Sequence, residues 1–406
     1  MTDAVKFSDL PLDPSLFQGL DALGHVHMTP VQAQALPPLL EGRDLIAQAP
    51  TGSGKTAAFG LALLHRIDVA QGRLQALVLC PTRELADQVA KQVRKLATGI
   101  PNLKLITLTG GVALGPQLAS LGQHSPHVVV GTPGRVQELL RKKVLDLRGV
   151  QVLVLDEADR MLDMGFEEPI REIIGATPKQ RQTLLFSATY PEAIRAVARA
   201  SMRDPVEVTV CGGDTAAAIE QHFYEVEPGH KAAALAGLLL EYRAQTAVVF
   251  CNMRRDTEEV VSSLTHLGFS ALALHGDMEQ RDREEVLVRF ANRSCTVLAA
   301  SDVAARGLDV EDLALVVNYD VPNDADTYVH RIGRTGRAGR GGHALTLCTP
   351  RERPRLKVIE EQLGFTATLQ RAPLAVLRAN AAPRAAMVTL RIDAGRTDKL
   401  RPGDIV

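Results

Sequence analysis

The strongest constraint on the fold is a repeated alternation. Short apolar, β-rich runs end at Ala49, Cys80, Thr109, Gly131, Leu155 and Ser187, then again near Phe250, Leu274, Ala299, Asn318 and Leu347, with helix-length segments between them. Strands that alternate with helices are joined by crossovers, so they run parallel and both faces of the sheet are covered. An α/β protein with two similar domains in tandem is expected. Between the halves lies Cys211-Gly-Gly-Asp-Thr-Ala-Ala-Ala218, small residues without a strand or helix pattern, suited to a flexible connection. The expected divisions are a first domain at 1–210, a linker at 211–218, a second domain at 219–368 and a separate tail at 369–406.

Length and charge agree with this division and exclude several classes. At about 150 residues per domain, 406 residues allow two or three domains, each able to bury a core. The longest apolar stretches, such as Gln151 to Leu155, are far shorter than the roughly 18 residues a membrane-spanning helix needs. Met1 to Leu10 carries Asp3, Lys6 and Asp9 and lacks the apolar centre of a signal peptide. Cys80, Cys211, Cys251, Cys295 and Cys348 are widely spaced, which suggests neither a cysteine-built zinc site nor a disulfide framework. A cytoplasmic protein with reduced thiols is expected. The formal net charge is −1, but it is unevenly placed: residues 1–210 hold 22 basic against 21 acidic side chains, 211–368 hold 17 against 23, and 369–406 hold 7 against 3.

The first strand carries the most specific chemistry. Leu45 to Ala49 runs into Pro50-Thr51-Gly52-Ser53-Gly54-Lys55-Thr56, and a helical pattern follows. Glycines let backbone N–H groups turn towards phosphate oxygens, and the helix N-terminus adds positive potential. Lys55 can reach the β- and γ-phosphates and Thr56 can ligate Mg²⁺. This is a P-loop in its proper strand–loop–helix setting, except that Ala49 replaces the usual first glycine. A second buried run, Val150 to Leu155, ends in Asp156-Glu157-Ala158-Asp159. Parallel sheets bind ligands at the carboxyl ends of their strands, so Asp156 is expected beside the P-loop as a Mg²⁺ ligand. Glu157 is then positioned to orient or deprotonate water. Alone, an acidic cluster is often no more than a helix start; the P-loop makes the catalytic reading the better one.

At this point an ordered series of motifs resembles the DEAD-box RNA helicases over about residues 7 to 365. Phe7 and Met28-Thr29-Pro30-Val31-Gln32 are similar to the family's adenine-reading Q motif, with His25 where an aromatic is usual. Then come Pro81-Thr82-Arg83-Glu84-Leu85, Gly110-Gly111, Thr132-Pro133-Gly134-Arg135 and Ser187-Ala188-Thr189. The second half adds His275-Gly276-Asp277 with Gln280 and Arg283, Ser301 to Asp309, and His330-Arg331-Ile332-Gly333-Arg334-Thr335-Gly336-Arg337. Ser301 stands where Thr is commoner.

The resemblance implies two RecA-like P-loop domains and an ATP-dependent helicase that locally unwinds or remodels RNA. It implies that Thr51, Gly52, Ser53, Gly54, Lys55 and Thr56 bind ATP·Mg²⁺, that Phe7 and Gln32 hold adenine, and that Asp309 meets the ribose. Arg334 and Arg337, three apart and expected on one helical face, look like arginine fingers that complete the γ-phosphate site when the domains close. Ser187 and Thr189 would couple ATP to strand separation. Pro81, Thr82, Arg83, Gly110, Gly111, Thr132, Gly134, Arg135, Gly276, Gln280, Arg283 and Ser301 would hold the RNA sugar–phosphate track without reading bases. The other reading is an ATP-gated RNA clamp or assembly scaffold with little unwinding.

The tail adds a narrower resemblance. Met387-Val-Thr-Leu-Arg-Ile-Asp393, followed by Arg401-Pro-Gly-Asp404, is similar to the opening of an RNA-binding domain appended in one bacterial branch of the family, directed to a hairpin in large-subunit ribosomal RNA. A monomer acting in large-subunit assembly is implied. About 20 residues are too few for a sheet with an apolar face, so a truncated module that leaves an unpaired strand is expected.

Overall fold

The computed structural model describes residues 5–49, 52–123, 125–210, 219–243, 245–305, 313–336, 341–373 and 385–390. Thr51, Asp309 and Arg337 lie outside the described residues, as do the linker 211–218 and most of the tail.

The chain folds into two units, each built on a seven-stranded sheet. The first sheet comprises β1 (Leu45–Gln48), β2 (Ala76–Leu79), β3 (Leu105–Leu108), β4 (Val128–Gly131), β5 (Val152–Asp156), β6 (Gln182–Ser187) and β7 (Val206–Thr209). The second comprises β8 (Ile219–Glu225), β9 (Ala247–Cys251), β10 (Ala271–Leu274), β11 (Val297–Ser301), β12 (Leu315–Asn318), β13 (Gly342–Cys348) and β14 (Leu369–Arg371). Every recorded ladder is parallel. The strand orders are β3-β4-β2-β5-β6-β1-β7 and β10-β11-β9-β12-β13-β8-β14. Adding seven to each number of the first order gives the second, so the two units share one topology.

Burial explains why the central strands are so apolar. All residues of β2, β4, β5, β9, β11 and β12 are buried, because helices cover both faces of a parallel sheet. In the first unit one face packs around Phe59, Leu61, Val89, Val93 and Phe186, the other around Leu77, Leu153, Met161, Ile173 and Leu185.

Three strands depart from the expected pattern. β7, β8 and β14 were not anticipated, because each is partly exposed and lacks a continuous apolar run. β14 extends the second sheet to Arg371, past the expected boundary at 368. Among the described residues of the tail, 387–390 form no strand. They are held to the turn after the helix Gln280–Ala291: Met387 N donates to Arg293 O at 3.3 Å, Asn292 Nδ2 to Thr389 Oγ1 at 2.7 Å, and Thr389 Oγ1 to Ser294 Oγ at 2.8 Å. Val388 and Leu390 are more than four-fifths exposed. No helix of the described residues is long and apolar enough to cross a membrane.

Candidate active site

The carboxyl edge of the first sheet gathers the motifs. The segments 52–56, 81–83, 110–111, 132–135, 156–157 and 187–189 follow β1, β2, β3, β4, β5 and β6 respectively. One edge of one sheet therefore gathers the residues expected to meet the nucleotide and the RNA in this unit, at the place where open parallel sheets bind ligands.

At the P-loop, the helix Lys55–His65 starts from Gly54, whose φ of 93° is left-handed. A Cβ there would come within 2.4 Å of Gln32 Nε2 and 3.0 Å of Thr29 Oγ1. Glycine is required both by the backbone and by this close approach. Thr29 and Gln32 form a capping box at the start of the helix Pro30–Leu40, Thr29 N donating to Gln32 Oε1 at 2.8 Å. The same two side chains brace the P-loop, Thr29 Oγ1 donating to Ser53 O at 2.7 Å and Gln32 Nε2 to Gly54 O at 3.0 Å. Each atom of the Gln32 amide keeps a further valence, since the amide has two N–H donors and two acceptor lone pairs. Phe7 is buried in the first unit's core, 6.4 Å from the His25 ring centroid to centroid.

Lys55 is buried and donates to Ala49 O at 2.9 Å. Asp156 is also buried; desolvation raises its carboxyl to about 7, with Lys55 pulling it down and Glu157 pushing it up. Among the described residues its Oδ1 has no hydrogen-bond partner, and neither has the buried Ser53 Oγ. Leaving such a group unpaired costs about 1–3 kcal/mol. An unpaired carboxylate oxygen beside the P-loop fits a hard, oxygen-seeking cation such as Mg²⁺, with Thr56 supplying a second oxygen.

Glu157 adopts a left-handed conformation, φ 52°, unusual for a residue with a side chain. Such strain costs about 1–3 kcal/mol and persists where the surroundings hold it. A buried ion pair, Arg160 Nη1 to Glu157 Oε2 at 2.6 Å, fixes the carboxylate. Asp159, which the sequence reading gave no role, is the junction to β6. Its Oδ2 accepts from Ala188 N at 3.1 Å, Thr189 N at 2.9 Å and Thr189 Oγ1 at 3.0 Å. Asp159 N receives Ser187 Oγ as acceptor at 3.3 Å, and Ala49 N donates to Ser187 O at 3.0 Å. The Asp159 carboxylate thus ties the acidic tetrapeptide to residues 188 and 189, its backbone N–H ties it to the Ser187 hydroxyl, and the Ser187 carbonyl links the end of β6 to Ala49 before the P-loop.

The neighbouring loops are rigid in a similar way. Thr82 caps the helix Arg83–Leu96 by accepting from Leu85 N at 3.3 Å. Gly110 N donates to Thr132 Oγ1 at 3.3 Å, and Gly111, at φ 72°, lets Arg83 lie against its Cα. Arg135 is nearly buried and spends its guanidinium on Gln117 Oε1 at 2.8 Å, Val112 O at 3.0 Å and Glu138 at 3.1 Å. It pins the loop after β3 to the helix that Pro133 and Gly134 begin.

In the second unit, Arg331 is the organising residue, and the sequence reading passed over it. It is fully buried, with Nε and Nη2 each 2.7 Å from an oxygen of Asp302. Nη2 also donates to Asn252 Oδ1 at 2.7 Å and Nη1 to Asp320 O at 2.9 Å, while the guanidinium lies 5.3 Å from the Phe250 ring centroid. Segments following β9, β11 and β12 are thereby joined to the helix Ala325–Ile332. That helix corrects one expectation: it ends at Ile332 with Gly333 as its cap, so Arg334 lies in the turn beyond and not on a helical face with Arg337. Arg334 is buried, and its carbonyl accepts from Leu313 N at 3.3 Å. Gly276 follows β10, and Ser301 closes β11 nearly buried. Gln280 donates to Glu284 Oε1 at 3.0 Å, and Arg283 to Ala304 O at 3.5 Å.

These two units match known patterns in the same order. The pattern described as DEAD/DEAH box helicase matches residues 29–197, and the helicase conserved C-terminal domain matches 230–339. The chain belongs to the DEAD-box family of ATP-dependent RNA helicases, and its two domains are RecA-like. It is 50% identical over 399 residues to the ATP-dependent RNA helicase DbpA of Escherichia coli strain K12, covering 97% of this chain and 86% of that protein. The ATP-dependent RNA helicase CshA of Listeria monocytogenes is 43% identical over 357 residues, 88% of this chain and 68% of that one. Among solved structures, S. cerevisiae Dbp5 bound to RNA and ADP BeF3 superposes with a TM-score of 0.82 at 30% identity, covering 91% of this chain and 96% of that chain. A DEAD-box protein from Methanococcus jannaschii gives 0.55 at 38% identity, with 90% and 99% covered.

Proposed function

We propose that this helicase locally opens or remodels RNA duplexes during large ribosomal subunit assembly, in the cytoplasm and as a monomer, by RNA-stimulated ATP hydrolysis. The observation that carries the chemistry is the buried, unpaired Asp156 oxygen beside the P-loop lysine. The similarity to DbpA over 97% of the chain supports the ribosomal setting.

In this reading, backbone N–H groups of Thr51, Gly52, Ser53 and Gly54 cradle the phosphates, Lys55 neutralises the β- and γ-phosphates, and Phe7 and Gln32 hold adenine. Thr56 and Asp156 would hold Mg²⁺, which when bound neutralises charge on the phosphate oxygens. Glu157 orients a water whose oxygen attacks the γ-phosphorus; the bond to the ADP oxygen breaks, and the proton passes to the carboxylate. Arg334 and Arg337 offset charge on the transferring group, and Asp309 meets the ribose; motif resemblance supports these three. Loss of the γ-phosphate is felt at Asp159, whose carboxylate holds Thr189 and whose backbone N–H holds the Ser187 hydroxyl, so nucleotide state reaches the RNA loops through this one residue.

RNA is held as a sugar–phosphate track by Pro81, Thr82, Arg83, Gly110, Gly111, Thr132, Gly134, Arg135, Gly276, Gln280, Arg283 and Ser301. The buried guanidinium of Arg135 supports a role in shaping this track as well as touching it.

Lys55→Ala and Glu157→Gln should each abolish RNA-stimulated ATP turnover, and ribosomal RNA should stimulate the parent more than unrelated RNA. Retained turnover in both variants would overturn the catalytic assignment. Equal stimulation by all RNAs would remove the ribosomal one. Strand displacement that fails while ATP-dependent RNA retention persists would favour the clamp reading.

A further inference from the structure

The amino-terminal edge of the second sheet, opposite the edge that carries the helicase motifs, holds a second chemically distinct cluster. Glu220 and His222 are alternate residues of β8, so they project from the same face. His343 lies on β13 directly opposite Glu220 in the parallel register. Glu220 Oε2 is 3.4 Å from His343 Nδ1 and 3.8 Å from His222 Nε2, and the three potential ligand atoms all lie within 4.8 Å of one another.

We propose that Glu220, His222 and His343 form a binding site for a divalent transition metal of the zinc class. With metal–ligand distances of about 2.0–2.2 Å, tetrahedral ligands sit roughly 3.3–3.6 Å apart. The shortest separation here already meets that spacing, and closing the others needs side-chain rotation rather than strand movement. The donor set is two imidazoles and one carboxylate, suited to zinc, nickel or copper rather than to magnesium, which prefers oxygen. Three protein ligands leave a fourth position for water.

Two details favour a prepared site over a chance meeting of polar groups. His343 Nδ1 is shielded from solvent yet has no hydrogen-bond partner among the described residues, although a Glu220 oxygen is near. Tyr242 packs edge-on against the His343 ring at 5.1 Å and lies 6.0 Å from the His222 ring, restricting both imidazoles. The Tyr242 hydroxyl is in turn 3.3 Å from that of Tyr224. Packing of this kind limits the rotation of both imidazole rings. None of the ligands is a cysteine, which is why cysteine spacing gives no hint of the site. A bound ion would join β8, the strand that follows residues 211–218, to β13, and so stiffen the second unit at the edge remote from Ser301 and Arg331.

The test is calorimetric titration of the full chain, without an affinity tag, with ZnCl₂ and separately with MgCl₂. One equivalent of Zn²⁺ should bind and Mg²⁺ should not compete for it. His343→Asn and His222→Asn should each weaken Zn²⁺ binding by about 100-fold or more. RNA-stimulated ATP turnover without added zinc should stay unchanged in both variants, showing that they are folded. Co²⁺ in place of Zn²⁺ should give a visible absorption band in the parent that both variants lose. No Zn²⁺ binding by the parent, or binding that both variants retain at parental strength, would overturn the proposal.

Discussion

The junction after β1 and the junction after β8 occupy the same place in two sheets of identical strand order. Each leads into a helix that begins with a buried lysine, Lys55 in the first unit and Lys231 in the second. Each lysine faces a carboxylate at the end of the equivalent strand, Asp156 at the end of β5 and Asp320 just beyond β12. The partners differ in how fully they are occupied. Lys231 is 2.7 Å from Asp320 and 2.9 Å from Glu352, and 5.1 Å above the Tyr319 ring. Asp320 also accepts from Asn252 N, and Glu352 from Val321 N, Thr349 N and Thr349 Oγ1. Asp156 Oδ1 accepts from nothing among the described residues. The same strand–helix turn thus carries a lysine paired with two carboxylates in the second unit, and in the first a lysine beside a carboxylate oxygen without a partner among the described residues.

Removing each lysine should separate these roles. Lys231→Met leaves two partly buried carboxylates without their cation, so the second unit should lose about 3 kcal/mol of stability. Chemical denaturation should show this as an earlier transition. A midpoint unchanged from the parent would mean the lysine is not a strut. Lys55→Ala should do the reverse: about 10²–10³-fold or greater loss of ATP turnover, with little change in the denaturation midpoint, because its hydrogen bond goes to a backbone carbonyl and not to a carboxylate. If Lys55→Ala destabilised the fold as much as Lys231→Met, the distinction between open and closed junctions would collapse.

Asp159→Asn tests whether the open junction is wired to the RNA side. The variant keeps the side-chain shape but loses charge-assisted acceptance from three donors of residues 188 and 189. RNA stimulation of ATP turnover should fall about tenfold, more than turnover measured without RNA. An equal fall in both would assign Asp159 to the nucleotide site alone.

How much of this was legible in sequence follows from what each element buries. β2, β4, β5, β9, β11 and β12 are buried throughout, so their apolar runs announce them. β8 mixes buried and exposed positions without a regular alternation, and β7 and β14 are largely open, so their polar residues hide them. The P-loop, Asp156 and Glu157 were readable because their chemistry is local to a short segment. Arg331 and Asp159 were not. A charged residue in a helical stretch reads as surface, and the partners of Arg331, from Asn252 to Asp320, come together only through the sheet. Spacing alone puts the arginine pair 334 and 337 on one helical face, whereas Gly333 ends the helix before Arg334.

The smallest effect sharpens the same comparison at the level of the backbone. Gly54 precedes Lys55 with φ at 93°, and a Cβ there would meet Gln32 Nε2 at 2.4 Å. Gly229 precedes Lys231 by two residues, has an ordinary φ, and has open space around the position a Cβ would take. Gly54→Ala must therefore pay for a left-handed alanine, about 1–2 kcal/mol, and must displace the amide that braces the P-loop. ATP affinity should weaken about tenfold or more. Gly229→Ala should change stability by less than about 1 kcal/mol, with a tendency to stabilise, because alanine restricts the unfolded chain without straining the folded one. Nucleotide titration and denaturation of the two variants side by side give the comparison directly. Similar losses in both would mean that the loop before Lys231 is as tightly specified as the P-loop, and that its filled valences are not what set the two junctions apart.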